Sequence, residues 1–106
     1  MPGNIIELDE KSFDKKTGKG NWIVDFWAEW CGPCKIMQPH FESASRELQA
    51  KVNFAEVNVD ENYGLSDKFN IMAVPTTLFI KDGEVIHAST GALNKGQIIE
   101  LAKESF

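Results

Sequence analysis

Cys31 and Cys34 are the two cysteines of the chain, and only Gly32 and Pro33 separate them. Two thiols at that spacing can close as a disulfide and reopen, which is the chemistry of thiol–disulfide exchange. The segment Trp30-Cys31-Gly32-Pro33-Cys34-Lys35 lies where an apolar stretch, Trp22 to Ala28, gives way to residues at helical spacing. The pair is therefore expected at a strand-to-helix junction. There Cys31 would face the unpaired N–H groups and the positive dipole end of the helix, both of which favour thiolate over thiol. Cys34, one turn further in, should be the more buried of the two. Lowering a thiol pKa from about 8.5 to about 7 requires about 2 kcal/mol, within reach of a partly buried helix terminus. Such a shift raises the thiolate fraction at neutral pH roughly fifteen-fold, while lost nucleophilicity takes back about five-fold, so the net gain in attack is a few-fold. Direction is set in the second step, in which Cys34 should attack Cys31 and free the substrate thiol.

Two blander readings compete. A structural staple closing so short a loop yields only about 2 kcal/mol in the chain-entropy model, and a reducing compartment would tend to open it. A zinc site needs two further ligands, and the chain has no second cysteine pair, only His40 and His87, far apart in sequence. His40 lies six positions after Cys34, which turns it off the Cys34 face of a helix. Neither a metal nor a bound cofactor is needed for the exchange.

Asp25 stands inside the run Trp22, Ile23, Val24, Phe26, Trp27. A carboxylate there is costly to ionise, so its pKa should rise. That suits a group that accepts the Cys34 proton, directly or through water, as that thiol attacks. The alternative is a polar residue satisfied at a strand end.

The elements that must hold these groups can be read along the chain. Ile5 to Leu8 reads as a short strand, and Asp9 can cap a helix reaching about Lys16, with Phe13 inward and Gly18 beyond its end. Trp22 to Ala28, apolar on both faces apart from Asp25, has the pattern of a central strand. From Cys34 to about Ala50, Ile36, Met37, Phe41, Ala44 and Leu48 mark the inner face of a helix that Pro39 should kink. Val52 to Val59 is a third strand, and Leu65 to Phe69 a short helical stretch. Asp82-Gly83 joins the strands Thr76 to Lys81 and Glu84 to Ser89 in a hairpin, and a last helix begins near Lys95 with Ile98, Ile99, Leu101 and Ala102 inward. The order β-α-β-α-β-α-β-β-α implies an α/β fold with helices on both faces and an antiparallel edge.

At 106 residues, 42% hydrophobic and 25% charged, the chain reads as a single domain, 1–106. Its net charge of -5, without a run of Lys or Arg interleaved with aromatics, argues against nucleic acid as a partner. Met1 to Glu7 has neither the basic, apolar start of a signal peptide nor the Arg-rich character of a transit peptide, and no apolar run could span a bilayer. A cytoplasmic protein is expected, and in that compartment a close cysteine pair is more often catalytic or metal-binding than structural.

With Trp30-Cys31-Gly32-Pro33-Cys34-Lys35, the upstream Asp25-Phe26-Trp27-Ala28 and the downstream Val74-Pro75-Thr76, the sequence closely resembles the thioredoxin family over essentially its whole length. The resemblance implies a thioredoxin fold, a mixed β-sheet flanked by four helices. It implies Cys31 as attacking and Cys34 as resolving thiol, Asp25 as proton acceptor, and reduction of cytosolic protein disulfides. A thioredoxin reductase would recharge the dithiol, the partners would be disulfide-containing client proteins, and a monomer is expected. It further implies a cis Val74–Pro75 bond packed on the Cys31 side of the site. Trp30, Gly32, Pro33, Ala73, Val74, Gly91 and Ala92 would form a flat apolar surface on which a client strand docks, paired to the backbone near Val74. A plain turn before the last helix is the other reading of Gly91 and Ala92.

Two positions depart from the pattern. Glu56 stands where many bacterial relatives carry a lysine that approaches the buried aspartate; a like charge near Asp25 would raise its pKa further, and the alternative is a solvated strand residue. Met72 replaces a charged or small residue and could enlarge the docking surface, although methionines also adapt locally to their surroundings. Oxidase and isomerase relatives usually have a histidine between the cysteines, which Gly32-Pro33 lacks. A protein acting mainly as a noncovalent binding partner in its reduced form is the alternative from outside enzymology.

Overall fold

In the computed structural model, which describes residues 4–106, the apolar stretch after Gly20 becomes the middle of the sheet. β2 (Asn21–Trp27) pairs in parallel with β3 (Asn53–Asn58) and antiparallel with β4 (Thr76–Lys81). β1 (Ile5–Glu7) adds in parallel outside β3. β5 (Glu84–Thr90) adds antiparallel outside β4. The strand order is thus β1-β3-β2-β4-β5, the mixed sheet expected from the element order. The helices are α1 (Phe13–Thr17), α2 (Gly32–Leu48), α3 (Tyr63–Lys68) and α4 (Lys95–Ser105).

Because successive strand residues point to opposite faces, β2 feeds two separate cores. Ile23 joins Ile5, Phe54 and Phe79 against Met37, Phe41 and Ala44 of α2 and Ile98 and Ala102 of α4. Val24 and Phe26 join Ala55, Val57, Leu78 and Ile80 against Phe13 of α1 and Leu65 of α3. On that second face Phe13, Phe26 and Phe69 meet edge-on or tilted, with centroids 5.1–6.3 Å apart, the geometry that aromatic quadrupoles favour.

Local chemistry fixes the joints. In the hairpin, Asp82 and Gly83 both have positive φ, 48° and 86°, the requirement of a type I′ turn, which matches the twist of the flanking strands. Asn94 caps α4 in a reciprocal capping box with Gln97, satisfying two otherwise unpaired donors.

Three expectations are corrected. α1 begins at Phe13, with Ser12 as its N-cap residue. Asp9 instead accepts the Lys11 and Ser12 N–H groups at 3.0 and 2.8 Å, so its side chain closes a turn of its own before the helix starts. Ile36, read as an inner residue of α2, is 69% exposed. Met37, Phe41 and Ala44 already occupy the inner stripe, and a residue adjacent to Met37 is turned about 100° away from it. The burial of the two cysteines is the third correction, described with the site below.

The contrast within α2 is testable. Phe41→Ala should cost about 3–5 kcal/mol by emptying the space between α2 and the sheet. Ile36→Ala should change stability by no more than about 0.5 kcal/mol. Urea midpoints of the two variants measure both.

Candidate functional site

β2 ends at Trp27, and four residues later Cys31 is the N-cap of α2, with extended backbone angles (φ -89°, ψ 108°). Pro33, in the first turn, loses nothing there, because the N–H it lacks would have no helical acceptor. Cys34 N–H donates to Cys31 Sγ at 3.1 Å. A sulfur thus takes the place usually filled by a capping oxygen, which is where a helix stabilises negative charge.

The structure holds Cys31 and Cys34 joined as a disulfide, with Cα atoms 5.3 Å apart. The expected difference in burial is not found: the two residues are 3% and 4% exposed. The bridge draws both sulfurs over the helix end into one cluster with Ala28, and Trp27, Val59 and Val74 pack around it. Cys31 Sγ lies 3.6 Å from the Val74 carbonyl oxygen. The Val74–Pro75 peptide bond is cis, as the resemblance implied. Pro75 itself is buried, so it backs the surface rather than forming part of it, and its carbonyl accepts the Gly91 N–H at 2.9 Å.

Around the disulfide, Trp30, Gly32, Pro33, Ala73 and Ala92 are exposed, and Val74 and Gly91 are half-buried. A bond between two loops steadies this collar: Trp30 Nε1 donates to Asp60 Oδ2 at 2.9 Å. An open groove of about 230 Å³ beside it is lined by Trp30, Val59, Asp60, Tyr63, Met72 and Val74, among others. Asp60, Tyr63 and the outward Ile36 escaped the sequence reading. Tyr63 and Ile36 signal themselves only as apolar or aromatic side chains at exposed positions, and Asp60 only through a carboxylate whose partner lies 30 positions away, none of which one sequence reveals.

Asp25 lies two residues before Trp27 on β2 and so points to the same face, beneath α2. It is 0% exposed, and neither carboxylate oxygen has a hydrogen-bond partner among the described residues. Burial, reinforced by the charge of Glu56, pushes its pKa up from 3.8 to about 8. The Glu56 effect expected from sequence is therefore present. His40 and His87 are engaged away from the cysteines. His40 Nδ1 accepts the Lys95 N–H at 3.2 Å, and His87 of β5 packs edge-on against Phe79 of β4. Among the described residues, no group of three or more His, Cys, Asp or Glu is arranged to hold a metal ion.

Comparison with known proteins agrees with this geometry. The family model described as Thioredoxin matches residues 4–104. The chain belongs to the thioredoxin family. It is 38% identical to the thioredoxin of Bacillus subtilis (strain 168), over 94% of this chain and 96% of that protein. It is 37% identical to a Pseudomonas aeruginosa thioredoxin, over 92% of this chain and 93% of the relative. The crystal structure of Malassezia sympodialis thioredoxin superposes with a TM-score of 0.88 at 32% identity, covering 96% of this chain and 93% of that one. With the family's fold and the Cys31–Cys34 pair, the chain is a thiol–disulfide oxidoreductase.

The raised Asp25 pKa gives stability a definite pH dependence. Between about pH 4 and pH 8 the folded chain retains a proton that the unfolded chain releases. The contribution is complete below about pH 4 and is lost as pH climbs through about 8. Asp25→Asn should remove this decline, and at about pH 9 it should be more stable than the parent by on the order of a few kcal/mol. Denaturant titrations at a series of pH values measure the slope directly.

Proposed function

We propose that this oxidoreductase is a reductase of protein disulfides, with Cys31 as the attacking and Cys34 as the resolving thiol. The Cys31 thiolate attacks one sulfur of a client disulfide, forming a mixed disulfide and expelling the client's other sulfur as thiolate. In the fraction of chains whose Asp25 carboxyl is ionised, Cys34 then gives its proton to Asp25 and attacks Cys31 Sγ. The bond between Cys31 and the client breaks, its electron pair leaves with the client sulfur, and the client departs as dithiol. The chain is left oxidised by two electrons. The observation that carries this reading is the Cys31 sulfur held as the cap of α2, accepting the Cys34 N–H at 3.1 Å.

The exposed collar suits an extended client segment. Trp30, Gly32, Pro33, Ala73, Val74, Gly91 and Ala92 offer apolar contact, and the Val74 backbone beside Cys31 Sγ offers main-chain pairing. Electrons come back from a thioredoxin reductase. The protein works as a monomer in the cytoplasm, without nucleic acid, membrane or bound cofactor. No helix of the described residues is long and apolar enough to cross a membrane.

Equilibration with defined thiol–disulfide buffers, followed by tryptophan fluorescence, should give a reduction potential near about -270 mV. A value near about -180 mV or higher would instead make the protein an isomerase or oxidase. Cys34→Ser should retain the first attack and accumulate a covalent complex with an oxidised client, visible on non-reducing gels. Cys31→Ser should form none. Accumulation in the Cys31 variant in place of the Cys34 variant would reverse the two roles.

A further inference from the structure

Asp25 does not stand alone on its face of the sheet. The strand register runs Glu7↔Glu56 between β1 and β3, Glu56↔Asp25 between β3 and β2, Asp25↔Thr77 between β2 and β4, and Thr77↔Ser89 between β4 and β5. One row of polar side chains therefore crosses all five strands beneath α2, one step above the apolar row of Ile5, Phe54, Ile23 and Phe79. Register partners on neighbouring strands point to the same side, with backbones about 4.8 Å apart. The two carboxyl groups are therefore immediate neighbours.

The row is graded in exposure. Asp25 is 0% exposed and Glu56 8%, while Glu7 is open to solvent. From α2, half-buried Gln38 lies against Glu56, and its Nε2 donates to Glu42 Oε2 at 3.2 Å. In the other direction the next group is Thr77, fully buried, whose hydroxyl has no partner among the described residues. A hydroxyl there cannot store a proton at neutral pH, whereas a carboxylate can. If Asp25 takes a proton in each cycle, that proton must leave a residue without contact with solvent.

We propose that Glu56 is the proton outlet of the site, taking from Asp25 the proton released by Cys34 and passing it to solvent at the Glu7 and Glu42 edge. The inference rests on the role of Asp25 proposed above. Glu56 touches no reacting sulfur. It is a positioning residue that acts through Asp25. The transfer is neutral in sum: Asp25 returns to carboxylate, Glu56 is transiently the acid, and solvent receives the proton. The ionisable groups acting on Glu56 are acidic on every side, Asp25 from β2, Glu7 from β1 and Glu42 from α2. Burial, partly opposed by the Gln38 amide and aided by Glu7 and Glu42, raises its proton affinity, which brings donor and acceptor closer in strength.

The test is stopped-flow reduction of dithiobis(nitrobenzoate) by the full-length reduced chain. The first nitrothiobenzoate is released by Cys31 and the second by Cys34. Glu56→Gln, equal in size but unable to accept the proton as a carboxylate, should slow the second phase by about five-fold, a small part of what general acid–base catalysis supplies. The loss should persist above about pH 8, where the Asp25 of the parent is mostly ionised. Glu56→Asp should recover most of the rate, and in an Asp25→Asn background Glu56→Gln should have no further effect. A second phase unchanged or faster in Glu56→Gln, with Asp25→Asn still slow, overturns the inference: Glu56 then only adjusts the Asp25 charge. An Asp25→Asn chain with an unchanged second phase overturns the underlying reading of Asp25 itself.

Discussion

The hydrogen bond from the Cys34 N–H to the Cys31 sulfur is the contact that the rest of the molecule exists to hold in place. It forms only if a strand turns into a helix within a few residues, so that the sulfur becomes the helix cap. β2 supplies the strand, fixed by β3 on one side and β4 on the other. α2 supplies 17 residues of aligned peptide dipoles and is bound to the sheet by Met37, Phe41 and Ala44. The same helix end is where a thiolate released from the bridge would be stabilised, a property of secondary structure.

The same sheet carries a cost. A row of polar side chains running under α2 interrupts a face that is otherwise apolar, and its centre, Asp25, is kept from both water and hydrogen bonds. Burial of an ionisable group without a partner lowers stability in exchange for a proton affinity suited to neutral pH. Stability and proton chemistry are coupled through one residue, in the strand that also delivers the cysteines.

Much of this could be read from residues alone because it was local. The cysteine spacing, the apolar run of β2, the Asp82-Gly83 turn and the stripe of α4 each announce themselves within a few positions. What escaped was decided by competition or by distance. Asp9 has the chemistry of a helix cap but spends its oxygen on the turn before α1. Ile36 fits an apolar spacing, yet the stripe is already filled by its neighbours. The equal burial of Cys31 and Cys34 comes from packing by Val59 and Val74, remote in sequence. The Trp30–Asp60 bond spans 30 positions. The polar row needs the register of all five strands before any two of its members are neighbours.

The collar around the disulfide is composed differently from the disulfide itself. Trp30 comes from the loop after β2, Asp60 from the segment between β3 and α3, Tyr63 from the start of α3, Met72 to Val74 from the approach to β4, and Gly91 and Ala92 from the exit of β5. Each of these segments is anchored to its own strand, and apart from Val74 they are separate from the helix cap at Cys31. If clients dock on the collar, as proposed, client preference and electron affinity are largely independent variables. Substitutions in the loops would then move the protein among clients while its chemistry stays constant.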